Sequence, residues 1–189
     1  MNKGNTYANK SNEWLVPLFC LALFCALAIP RAVLADEWDQ ATKLTFSESV
    51  EVPGQALPAG TYWFRLADSD SDRSIVQIWN SDRTQLVTTI LAIPDYRQTT
   101  SDKTIINFAE RPVGQPEAIQ SWFYPGNRVG EEFVYPKTRA KQLAKQTGRP
   151  VLSMPDERAS NAAQIKQVSV KTVSPSGEEI ALQKSPPAK

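Results

Sequence analysis

The chain has 189 residues with 21 basic and 20 acidic side chains, which is enough for one domain and gives no excess of positive charge to attract nucleic acid. It contains no histidine, and both cysteines lie within the first 25 residues. Beyond that segment, zinc sites of the usual kind, histidine-dependent triads, thiol nucleophiles and disulfides are excluded.

The N-terminal segment has the pattern of a cleavable signal peptide. Two lysines precede an apolar run at 14–29, and Val33-Leu34-Ala35 offers the small side chains at which such peptides are cut. We therefore predict a signal peptide over 1–35, cleaved after Ala35. An uncleaved anchor is the alternative, but the run of 16 residues is shorter than the roughly 20 needed to span a bilayer. The mature chain has a formal charge of −1, and we expect no stable membrane span after cleavage.

Short runs rich in Val, Ile, Thr and aromatic residues, separated by Gly, Pro, Asp, Ser and Asn, indicate an antiparallel all-β domain at 36–155. About seven strands are predicted, with Pro94 ending the most apolar of them; they lie at 44–52, 62–66, 75–79, 85–93, 104–108, 118–124 and 132–135. This count and spacing favour a small β-sandwich, with a jelly roll or an open barrel as the alternative.

Two further predictions concern the C-terminal part. Residues 138–146 are helix formers without Gly or Pro, so a short helix is expected there. Residues 156–189 are polar and lack aromatics, which predicts a largely disordered tail. The alternative for the tail is a hairpin in which 167–173 and 179–183 flank Ser174-Pro175-Ser176-Gly177.

Aromatic residues occupy both faces of several predicted strands. If one face of such a strand is core, the other displays flat rings that can stack on a sugar or a partner surface. The alternative is that both faces are buried in a two-layer core, where most aromatics lie. The candidate binding residues are Trp63, Trp79, Tyr96, Trp122 and Tyr124.

Two sets of carboxylates are candidate sites. Asp68, Asp70 and Asp72 have the opening spacing of an EF-hand loop and form a weak calcium candidate, since Arg73 and Trp79 occupy the positions of the required Gly and Glu. The alternative is a solvated loop. Asp95, Glu110 and Glu48 could supply a pair of acids for glycoside cleavage, which needs two carboxyls about 5 to 10 Å apart.

Several longer strings resemble an uncharacterised family of exported bacterial all-β proteins over about residues 40–155. The resemblance implies export and a β fold, and it implies no activity, substrate or functional residue. The strings are Val-Glu-Val-Pro-Gly (50–54), Leu-Pro-Ala-Gly-Thr-Tyr (57–62), Ser-Asp-Arg-Ser-Ile-Val-Gln-Ile-Trp-Asn (71–80), Ala-Ile-Pro-Asp-Tyr-Arg (92–97), Ala-Ile-Gln-Ser-Trp-Phe-Tyr-Pro-Gly-Asn (118–127) and Glu-Phe-Val-Tyr-Pro-Lys (132–137).

These patterns together predict an exported module of the periplasm or the extracellular space, without a cofactor, in a non-enzymatic binding or structural role. Its partner would be an envelope protein or a glycan. A carboxylate-based hydrolase and a small carrier of apolar ligands are the alternatives. A row of exposed Trp or Tyr rings would favour the first function, a cleft with two close acids the second, and an internal cavity the third.

Overall fold

Thirteen strands and two helices form the part of the chain that the computed structural model describes, namely residues 40–70, 72–109, 111, 114–157 and 161–182. The predicted signal peptide lies outside these residues. The elements are β1 (Ala41–Phe46), β2 (Val50–Val52), β3 (Gln55–Leu57), β4 (Gly60–Ser69), β5 (Ser74–Asn80), β6 (Leu86–Tyr96), β7 (Ile105–Ala109), β8 (Glu117–Phe123), β9 (Val129–Phe133), β10 (Tyr135–Pro136), α1 (Lys137–Thr147), β11 (Val151–Met154), α2 (Ala162–Gln167), β12 (Lys171–Val173) and β13 (Glu179–Ala181). Neither helix has the length and apolarity that crossing a membrane requires, as judged on these residues alone.

The strands form two sheets, so the predicted all-β, sandwich-like class is confirmed, and the described strands do not close into a barrel. The larger sheet has the order β1-β4-β5-β6-β9-β8-β2-β3, with β7 paired to β8. Its pairings are antiparallel except that of β2 with β8. The smaller sheet has the order β10-β11-β12-β13.

Two apolar clusters hold these layers together. The main core lies within the larger sheet and under α1, where Phe64 stacks on Phe133 at 6.3 Å between ring centroids and contacts Trp122 at 6.2 Å. A second core joins β5 and β6 of the larger sheet to the smaller sheet; it comprises Ile75, Leu91, Val134, Leu152 and Val170. Burial of these side chains is the main favourable term in the stability of such a domain.

Two strand boundaries differ from the prediction. The expected strand at 44–52 is divided, because the polar residues 47–49 interrupt it and β2 pairs with β3 and β8 instead of β4. Strand β6 continues through Pro94 to Tyr96. Its pairing with β5 stops at Ala92, so beyond that residue β6 pairs with β9 alone, and a strand paired on one edge tolerates a proline.

The C-terminal part is more ordered than predicted. The expected helix at 138–146 is α1, and it ends at Gly148, which has the left-handed backbone conformation that favours glycine (φ 67°). The prediction of disorder does not hold for residues 161–182, which form α2 and the β12–β13 hairpin, the alternative given above. Val170 and Val173 anchor this segment, since each is buried in one of the two cores.

Candidate functional site

Two tryptophans lie side by side on an outer face of the larger sheet. Trp63 of β4 and Trp79 of β5 are directly opposite each other, and the row continues to Lys43 of β1 and Leu86 of β6. Because side chains alternate along a strand, the residues next to Trp63 point inward, and Phe64 is fully buried in the main core. We call the surface formed by Lys43, Trp63, Arg65, Gln77, Trp79 and Leu86 the tryptophan face.

Specific contacts hold both indole rings, which are half-buried. Nε1 of Trp63 donates to the carbonyl oxygen of Ser81 at 3.1 Å, and Nε1 of Trp79 donates to Oε1 of Gln77 at 3.3 Å. The guanidinium of Arg83 lies 5.0 Å from the centroid of the Trp63 ring, in a cation–π contact. The face is therefore organised before any ligand arrives, which lowers the entropic cost of binding.

The charged side chains at the described strand positions of the tryptophan face are basic. Lys43 and Arg65 extend from its strands, Arg83 reaches it from the β5–β6 turn, and its strand positions carry no acidic side chain. Asp82 lies beside Arg83 in the turn, where its Oδ1 accepts a hydrogen bond from the Thr84 hydroxyl at 3.0 Å.

The other predicted aromatic residues do not join this face. Trp122 is only 1% exposed and belongs to the main core, so it cannot contact a ligand at the surface. Tyr124 is partly buried against the same core. Tyr96 is 56% exposed, but it is ten residues from Leu86 along β6, or about 33 Å away in an extended strand. The structure brings together only Trp63 and Trp79 of the five predicted residues.

The aspartate loop makes ion pairs with the C-terminal segment, which argues against the calcium candidate. Lys166 of α2 places its Nζ 2.8 Å from Oδ2 of Asp68 and 2.5 Å from Oδ2 of Asp70. Arg73 of the same loop donates to the carbonyl oxygens of Lys166 and Val168, both at 2.6 Å. Two of the three carboxylates thus face an ammonium group, and Asp72 is exposed. The described residues contain no cluster of acids suited to a metal ion.

Replacing Asp68 and Asp70 together by asparagine should loosen α2 from the sheet. Both carboxylates raise the pKa of Lys166 by hydrogen bonding, and asparagine keeps the shape while removing the charge. We expect amide hydrogen exchange in α2 to accelerate by up to about fivefold, the scale of exposed ion pairs. Asp72→Asn in the same loop is the control and should leave the exchange unchanged. Equal exchange in all three proteins would contradict this assignment.

A polar groove on the larger sheet brings two acids close together. It has a volume of about 500 Å³, and its polar lining includes Asp95, Asn107, Gln120, Glu132 and Arg149. Asp95 pairs with Gly130 and Ile93 with Glu132, so the two acids are diagonal neighbours on adjacent strands, a relation that separates such residues by about 7–8 Å. Burial and the nearby Asp95 raise the pKa of Glu132.

This groove differs from the predicted acid pair. Glu48 is exposed in the loop after β1 and does not line it, and Glu110 lies outside the described residues. Sequence reasoning missed Glu132, although consecutive acids at 131 and 132 inside an apolar strand were a usable signal of an unusual environment.

The described residues form no enclosed apolar cavity of ligand size among the spaces found: one of about 450 Å³ is lined by polar as well as apolar side chains, and one of about 560 Å³ beside α2 is open to solvent. An apolar cavity beside α1, lined by Ile119, Phe133 and Leu143 among others, has a volume of about 10 Å³. That space holds a single water molecule at most, whereas ligand sites are usually of some 300 Å³ or more.

Comparison with known proteins identifies no relative of this chain. No protein-family profile, curated protein or solved structure matches the chain. A function must therefore be inferred from the arrangement of the residues alone.

Proposed function

We propose that this protein is exported and that its β domain is a non-enzymatic glycan-binding module whose site is the tryptophan face. The observation that carries the proposal is the cross-strand pair of Trp63 and Trp79, held by hydrogen bonds on one face of the larger sheet. Flat rings side by side suit the apolar faces of successive sugar rings, while the polar side chains around them suit the hydroxyl groups. The predicted signal peptide at 1–35 supports export.

The neighbours of the two rings favour a glycan over a protein. Lysine is depleted at the centre of protein–protein interfaces, whereas here Lys43 lies directly opposite Trp63, and Gln77 lies two residues from Trp79 on the same face. Leu86, which is 41% exposed, is the one large aliphatic side chain that extends the row. Threonines of β1, β4 and β6 continue the polar character of this surface; they are Thr45, Thr61 and Thr89.

Replacing both Trp63 and Trp79 by alanine should abolish most glycan binding. Two lost stacking contacts correspond to about 2 kcal/mol, or roughly a 30-fold weaker Kd. The chain would be expressed with its own leader in an exporting bacterium, screened against an array of bacterial and plant polysaccharides, and titrated with the best one by isothermal calorimetry. The N-terminal sequence of the purified protein would show cleavage after Ala35.

Tyr96→Ala is the matched control, because it removes an exposed ring that lies far from the tryptophan face. It should bind as the wild type does. Unchanged binding by the double tryptophan variant would refute the proposal. The same incubations would be assayed for new reducing ends, and none is expected; their release by the wild type but not by Glu132→Gln would instead assign a hydrolase to the acidic groove.

A further inference from the structure

We infer that Gln77 selects the ligand of the tryptophan face and that this ligand is a glycan of N-acetylated sugars; this inference rests on the proposed function. Gln77 lies on β5 two residues before Trp79, so the two side chains point to the same face of the sheet. They are joined by a hydrogen bond, in which Nε1 of Trp79 donates to Oε1 of Gln77 at 3.3 Å. The amide of Gln77 therefore lies at the edge of the Trp79 ring.

This hydrogen bond determines which way the amide of Gln77 points. An indole N–H can only donate, so it must meet the oxygen of the amide, and the NH2 group is directed away from it. No described residue accepts a hydrogen bond from Nε2 of Gln77, and the side chain is half-buried. A ligand stacked on the Trp79 ring therefore meets a hydrogen-bond donor whose orientation is already set.

An acetamido group matches the surroundings of the Trp79 ring better than a sugar hydroxyl does. Its carbonyl oxygen only accepts hydrogen bonds, so it complements the NH2 group of Gln77. Its methyl group is apolar, and Leu86, which lies opposite Trp79 on β6 and is 41% exposed, offers it an apolar contact. A hydroxyl in the same place would accept the hydrogen bond but would leave Leu86 exposed to water.

The test compares two uncharged oligosaccharides of the same linkage and length. Chitohexaose carries an acetamido group on each ring at the position where cellohexaose carries a hydroxyl group. The full chain, expressed with its leader, should bind chitohexaose at least about fivefold more tightly in isothermal calorimetry, which is the scale of one net hydrogen bond.

Two variants of Gln77 should abolish that preference. Gln77→Glu keeps an oxygen that accepts the indole N–H of Trp79 but replaces the donor by a second acceptor. Gln77→Met has a similar length and neither donor nor charge. Both variants should still bind cellohexaose, because the rings of Trp63 and Trp79 remain, and this binding also shows that the variants fold.

The control makes the same chemical change elsewhere. Gln146→Glu, at an exposed position of α1, should keep the full preference. An affinity of the wild type for chitohexaose no higher than for cellohexaose would overturn the inference and leave glycan binding intact. A preference that persists in both Gln77 variants, or loss of cellohexaose binding in both, would also overturn it. Binding of neither oligosaccharide by the wild type would overturn it too, and if the array is then also negative the proposed function fails with it.

Discussion

Glu51→Gln is expected to lower the free energy of unfolding by about 3 kcal/mol, because removing one member of a buried ionic network leaves the others without a counter-charge. The carboxylate of Glu51 on β2 lies between two arginines. Oε2 is 2.7 Å from Nη1 of Arg111 and 2.6 Å from Nη2 of Arg139, and the side chain of Arg111 is only 4% exposed. Glutamine keeps the size of the side chain but cannot neutralise either guanidinium.

This network joins distant parts of the chain, which is why its loss should matter. Arg139 is on α1 and Arg111 lies between β7 and β8, while the hydroxyl of Tyr135 donates to the carbonyl oxygen of Glu51 at 3.3 Å and to that of Ile119 at 2.7 Å. Urea unfolding followed by tryptophan fluorescence at pH 7 would measure the change. Glu48→Gln, in the exposed loop before β2, is the control and should lie within about 0.5 kcal/mol of the wild type. Coincident curves for all three proteins would show that the network is not stabilising.

The second large effect is a loss of stability as the pH rises from 5 to 8, caused mainly by Glu131. This side chain lies on the core side of β9, is 6% exposed, and its Oε2 has no hydrogen-bond partner among the described residues. Burial raises its pKa from 4.5 to about 7, against the opposing effect of a hydrogen bond with Ser74. The folded state therefore binds the proton more tightly than the unfolded chain.

The direction of the change in stability with pH follows from this difference in the pKa of Glu131 between the folded and unfolded states. Below about pH 4.5 the carboxyl is protonated in both states and its contribution is fully present, and it is lost as the pH rises through 7. The loss amounts to about 3 kcal/mol for a shift of this size. Glu131→Gln, neutral at every pH, should be the more stable protein at pH 8 and should show a flatter profile in urea unfolding at pH 5, 6, 7 and 8. Glu132, whose pKa is also raised, contributes a smaller slope of the same sign.

An exposed acid provides the comparison for this experiment. Glu178→Gln, in the β12–β13 turn, should reproduce the slope of the wild type because its side chain is in water. If Glu131→Gln also reproduced that slope, the carboxyl would have to be ionised in the folded protein across the whole range.

Local alternation made much of the fold predictable from the sequence. Strand β4 is an example: Tyr62, Phe64 and Leu66 pack on the main core, as expected, while Trp63 between them points outward. The order of strands was not predictable, because it depends on contacts between residues far apart in the chain. The parallel pairing of β2 with β8 is one such contact. The hairpin at 171–181 is another, since burial of Val173 in a distant core is what orders it.

The site was only half predictable for a related reason. Trp63 and Trp122 have the same local pattern, each next to a phenylalanine, yet only Trp63 faces outward. In β8 both faces are covered: Trp122 lies in the core, and Phe123, which is 1% exposed, lies against Gly130 and under Arg97. The pairing of Trp63 with Trp79 depends on the register of β4 against β5, which an irregularity between Leu66 and Asp68 shifts by one residue further along the strand.

The late position of Val170 and Val173 has a consequence for the timing of folding. Both cores include a side chain from this last part of the chain, so a nascent polypeptide that still lacks it leaves Ile75 and Leu91 uncovered. Closure of both cores must therefore await the synthesis of Val170 and Val173, well after that of the strands of the larger sheet.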